Sequence, residues 1–237
     1  MDGKERDEAE IEEKAKEKEF ENKDKMALAN HSFIAVTSDL KNNINKLFHE
    51  EIELDIVLYL GLCNGAGWAT TLDNRNAILL GIEKIIELNW QSKSQMQALI
   101  FHEIAHIWHK TYGILYPHTS SQGEKSIVQL YQEGIAMVCE QILYQDINHY
   151  NQNKNGWLDW CITNKNQIKR EYLKRINNCE GTQDFFGDWC SYQGYSDVGY
   201  FLGCEFIKYL QEKFSLVEIA NLKVSTLLQH FKMFAKG

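Results

Sequence analysis

SKSQMQALIFHEIAHIWHK, residues 92–110, marks the point at which the chain changes character. Its apolar residues recur at the three-to-four-residue spacing of a helix, and helical patterns continue from here to the C-terminus. Within this mostly apolar helix stand three histidines and a glutamate. His102 and His106 are four residues apart, one turn above each other, so both imidazoles project from the same side and can reach one divalent ion. Glu103, between them, lies close enough to accept a proton from a water that such an ion activates. Leu99, Ile100, Ile104, Ile107 and Trp108 surround the motif with the apolar groups that a water-excluding site needs.

Upstream the periodicity differs. Leu40, Ile44, Leu47 and Phe48 form a helical stripe, with Ser38 and Asp39 as its N-cap candidates. In EIELDIVLYLG, Ile52, Leu54, Ile56, Leu58 and Leu60 alternate as in a strand with one buried face. GWATTLD and AILLGI are two further β-prone runs separated by Asn74-Arg75-Asn76, which predicts a hairpin. Helices are expected over EKSIVQLYQEGIAMVCEQILYQ, from about Gly156 to Ile176, and at two or three places beyond. The segment from Tyr112 to Gly123, which holds the only proline, Pro117, reads as a loop. Strands come first and helices after, so the fold class is α+β.

A catalytic zinc usually takes three protein ligands and leaves a fourth position to water. Glu133, in LYQEGIAMVCE, is the better candidate for the third. It sits centrally in an apolar helix, where an unpaired carboxylate is costly. Gly134 beside it costs a helix about 1 kcal/mol relative to alanine, so it calls for a close neighbour; with Ala136 it is expected to let this helix approach the histidine helix. His109, one turn beyond His106, is the competing ligand, although three groups stacked along one helix do not all reach a small tetrahedral ion.

Composition narrows the classes. A chain of 237 residues, 44% hydrophobic and 12% aromatic, can bury a full core. A net charge of -8 with scattered basic residues argues against nucleic acid, and no apolar run approaches a membrane span. The first 25 residues are dominated by charge, with Glu10–Lys14 and Glu12–Lys16 at helical spacing, and read as a solvated helix or disordered tail. Residues 26–237 are then one domain, its sheet-containing part at about 26–111 and its helical part at about 112–237. Cys63, Cys139, Cys161, Cys179, Cys190 and Cys204 contain no C-x-x-C pair, so reduced core thiols and a cytoplasmic setting are expected.

His102-Glu103-x-x-His106 followed downstream by Glu133-Gly134-x-Ala136 resembles the gluzincin metallopeptidases, particularly the predicted zinc-dependent proteases of the peptidase MA-like group. The resemblance implies a zincin-like fold with a small N-terminal sheet packed on the histidine helix. It also implies one zinc ion held by His102, His106 and Glu133, Glu103 as general base, and a peptide or protein substrate. GYSDVGYFLGCEFIKYL, residues 194–210, resembles the C-terminal helix of the same proteases, and so implies Tyr200, or alternatively Tyr195, as a donor to the oxyanion.

Two departures stand out. The thermolysin-like pattern has an aspartate four residues after the ligand glutamate, where this chain has Met137, and the interval from His106 to Glu133 is longer than in those proteins. The metzincin pattern fails, since His109 and Tyr112 occupy its glycine and third-histidine positions. The same ligands and base would also serve a hydrolase of non-peptide amides or esters. A catalytically silent zinc-binding module is the other class, against which an intact Glu103 argues. If substrate is a peptide, an edge strand over Gly67–Asp73 is a place for it to add as a further strand.

Overall fold

A computed structural model of the chain describes residues 23–38, 40, 44, 48, 52–61 and 65–237. The fold is α+β, a small three-stranded sheet followed by helices. Contacts group it into two compact units, Met1–Ile104 and Ala105–Gly237. Of the charged segment expected to be a tail or solvated helix, residues 1–22 lie outside those described.

In the first unit, α1 (Lys23–Thr37) buries Ala29, Ser32 and Val36. This small-residue face carries almost no hydrophobic signal, which is why no helix was legible there. The helix ends before Ser38, whose hydroxyl donates to the Ala35 carbonyl at 3.1 Å. Leu40, Ile44 and Phe48 are helical and buried as their stripe predicts, whereas Leu47 and Asp39 fall outside the described residues.

The sheet is β1 (Asp55–Tyr59), β2 (Gly67–Leu72) and β3 (Arg75–Gly81), in the order β1-β3-β2, with β1 parallel and β2 antiparallel to β3. Among the described residues β2 is thus an edge strand. The hairpin forms, but its turn is Asp73-Asn74, at φ 47° and 62°. Arg75 and Asn76, expected in the turn, already pair with Leu72 and Thr71. Two consecutive positive φ values are what the right-handed twist demands of a two-residue hairpin, and Asp and Asn tolerate them best after glycine. Ile56 and Leu58 are only half-buried and Leu60 is exposed, so the alternation in β1 marks a strand without a fully buried face. β3 supplies the buried centre through Ala77, Ile78 and Leu80. Ile82, expected to end that strand, instead opens a short helix, α2 (Ile82–Glu87), against which α1 packs.

Helix α3 (Lys93–Tyr112) runs through the boundary between the units. Ser92 caps it, its hydroxyl accepting from the Gln95 N–H at 3.4 Å. In the second unit, α4 (Gln122–Tyr144) is capped by Ser121, which accepts from Glu124 N, while Glu124 accepts from both the N–H and the hydroxyl of Ser120. The helix expected from Gly156 to Ile176 is two: α5 (Trp157–Thr163) and α6 (Lys165–Asn178). The break is at Asn164, whose side chain donates to the Trp160 carbonyl at 2.9 Å and competes with the helix ladder. Then follow α7 (Val198–Gln211), α8 (Leu216–Ile219) and α9 (Val224–Phe234). No helix among the described residues is long and apolar enough to cross a membrane.

Helices α4 and α7 pack at the distance of backbone contact. A Cβ on Gly134 would lie 2.4 Å from the Gly203 carbonyl oxygen, and one on Gly203 would lie 2.6 Å from the Leu130 carbonyl oxygen. Gly134 therefore does mark a close approach, but to α7 and not to the histidine helix. Gly199, one turn before Gly203 on α7, faces the Phe186 ring.

Candidate metal centre

His102, His106 and Glu133 come together: one ligand atom from each lies within 4.8 Å of the others. Helix α3 contributes both imidazoles, one turn apart on one side, and α4 brings the carboxylate opposite His106. His106 Nε2 and Glu133 Oε2 are 3.5 Å apart. Two ligands at about 2.0–2.2 Å from a tetrahedral ion are separated by about 3.3–3.6 Å, so this pair already has the edge length of a coordination tetrahedron. His102 is buried, whereas the side chains of His106 and Glu133 keep 16% and 20% of their exposure. Two imidazoles and one carboxylate fit a single divalent ion of borderline softness.

Glu103 is buried at 6% exposure, and its carboxylate lies against the first residue of β2: a Cβ on Gly67 would stand 3.1 Å from Glu103 Oε1. Tyr200, in the first turn of α7, is half-buried with its ring edge-on to Phe186 at 5.7 Å. Tyr195 stacks on Trp160, with ring centroids 4.3 Å apart and planes 15° from parallel. Met137, one turn after Glu133, is fully buried, so no carboxylate occupies the place where the thermolysin-like pattern has its aspartate.

No protein-family model, curated protein or solved structure matches this chain.

His109, the competing ligand, is occupied elsewhere. Its Nε2 is 3.1 Å from the Tyr131 hydroxyl, and that hydroxyl donates to the Ile219 carbonyl at 2.8 Å. With the phenolic hydrogen spent on Ile219, the hydrogen between the two rings comes from the imidazole, which fixes the Nε2–H tautomer. Burial, and next the nearby His106, push the His109 pKa down to about 4, with the Ala220 carbonyl pulling weakly the other way. His109 is thus a neutral core histidine. Sequence spacing alone did not reveal Tyr131 as its partner; the two are 22 residues apart and meet only when α3 and α4 pair.

This burial has a pH signature. The unfolded chain binds a proton at His109 near pH 6.5 and the folded chain only near 4, so between those values the unfolded state holds more protons and stability falls as pH falls. The loss is roughly 3 kcal/mol in full and about 2 kcal/mol by pH 5. Urea unfolding of chelator-treated protein at pH 7.5 and pH 5 measures it, and His109→Gln should remove most of that difference. An unchanged pH dependence in the variant would assign the loss to other groups.

Near the site, Gln132 Nε2 donates to the Leu115 carbonyl, and Ile114 N donates to the Ala220 carbonyl at 2.8 Å. The start of the segment between α3 and α4 is thereby tied to Ala220 and to Gln132, the neighbour of Glu133.

Proposed function

We propose that this protein is a zinc-dependent hydrolase of peptide bonds with a zincin-like fold. The observation that carries the reading is the convergence of His102, His106 and Glu133, with Glu103 adjacent to His102 on the same helix. Zinc bound there supplies a water of lowered pKa and a Lewis acid for the substrate carbonyl. The chain's own residues do the rest. Glu103 accepts the proton of the attacking water and then delivers it to the leaving amine, so one carboxylate serves as base and acid in turn. Its burial beside β2 fixes it in one position, which general-base catalysis requires. Tyr200 is assigned to donate its phenolic hydrogen to the developing oxyanion, with Tyr195 as the alternative. Among the described residues β2 lies at one edge of the sheet, where an extended peptide can add as a further strand. The described cysteines are all free, in keeping with a cytoplasmic setting.

Metal analysis followed by a cleavage assay tests this. Purified protein is expected to hold one zinc per chain, to cleave members of a peptide library, to lose cleavage on chelation and to regain it with added zinc. Turnover confined to non-peptide amides or esters would keep the metal chemistry and change the substrate class. Zinc retained with no turnover on any of them would favour a binding module and overturn the hydrolase reading.

A further inference from the structure

We propose that Gly67 is a positioning residue for Glu103, its missing side chain being what allows the start of β2 to lie directly against that carboxylate. The inference rests on the hydrolase reading of Glu103. Gly67 pairs with Leu80 in regular antiparallel register, and its φ is not in the left-handed region, so the backbone makes no demand for glycine. A glycine in a strand forfeits side-chain packing and raises the entropy cost of folding, and where no turn or bulge requires it, a close approach is the usual reason.

The neighbours supply that reason. An added Cβ would lie 3.1 Å from Glu103 Oε1, 3.2 Å from Glu103 Cγ and 3.2 Å from Leu80 Cδ2. These distances are tighter than ordinary contact but short of a backbone clash, so alanine is accommodated by a shift of a few tenths of an ångström. Leu80 and Glu103 share that shift, and Glu103 is the one with a reaction geometry to lose. Both Glu103 contacts are with the part of the side chain that carries the carboxylate, so Gly67 acts on the base and not on the metal ligands.

A general base works over a narrow hydrogen-bonding range, and a misplacement of about 1 Å can cost about 100-fold in rate. Gly67→Ala is therefore expected to lower kcat about 3- to 10-fold with KM and zinc content unchanged. In the Glu103→Gln background it should produce no further loss, because the group it displaces no longer acts as a base. A further loss in the Glu103→Gln background would make the effect one of packing and overturn the proposal.

Crystal structures of zinc-loaded wild type and Gly67→Ala give a readout independent of turnover: the Glu103 carboxylate should move away from residue 67 while the three zinc ligands stay in place. An unmoved carboxylate overturns the proposal even if the protein hydrolyses peptides. If wild type binds zinc and hydrolyses nothing, the hydrolase reading fails by itself, and the displacement still decides whether Gly67 sets the position of Glu103.

Discussion

Glu103→Gln should leave zinc content and melting temperature close to wild type while lowering peptide hydrolysis about 100- to 10,000-fold, the span that a positioned general acid–base group contributes. Glutamine has nearly the shape of glutamate, so the space beside Gly67 stays filled and α3 is undisturbed. What it loses is the ability to take a proton at neutral pH. His102 and His106 keep their helical spacing and Glu133 its place on α4, so binding and chemistry separate in this one variant. Near-wild-type turnover would show that the base is another group; loss of zinc would show that Glu103 acts structurally. The same assay assigns the oxyanion donor. Tyr200→Phe should reduce turnover with zinc retained, and if it is silent while Tyr195→Phe is damaging, the role belongs to Tyr195.

Gly134→Ala is the second large effect, and its sign is opposite to what helix propensity predicts. In an isolated helix the change is worth about 1 kcal/mol of stabilisation. Here the new methyl would sit 2.4 Å from the carbonyl oxygen of Gly203, 2.6 Å from its carbonyl carbon and 2.8 Å from Ile207 Cγ1. Two of those atoms are backbone, which has no rotamer to change, so α4 and α7 must separate. Overpacking typically costs about 1–3 kcal/mol and sometimes more; with rigid partners the upper end applies, which less the propensity gain is a net loss of about 2 kcal/mol. For a chain of this size that lowers the melting temperature by roughly 4–8 °C. Gly203→Ala strikes the same contact from the other side, with 2.6 Å to the Leu130 carbonyl oxygen. The double variant should then lose less than the sum, since the first substitution already parts the helices. A melting temperature that is unchanged or raised in Gly134→Ala would refute the contact.

The residues involved show why some features were legible and others were not. The relation between His102 and His106 is a property of one helix: four residues make about one turn, so the shared side follows from spacing whatever surrounds it. The alternation leading into β1 and the two runs that became β2 and β3 are likewise local, and the hairpin followed from them, with its turn displaced because the two positive-φ positions fell on Asp73 and Asn74. Glu133 lay between these cases. An apolar helix around a carboxylate announced that a partner was needed, but its approach to within 3.5 Å of His106 depends on how α3 and α4 pair.

The sequence by itself determined the α+β class, the histidine helix and the side of that helix that His102 and His106 share, because these follow from repeats of about two and 3.6 residues within single elements. Only the tertiary structure decided that His109 turns to Tyr131, that Gly134 meets Gly203, 69 positions further on, and that Gly67 abuts Glu103. Each of these depends on which backbone fills the space beside a residue, and that is fixed by the packing of distant segments against one another, a property that no local periodicity carries.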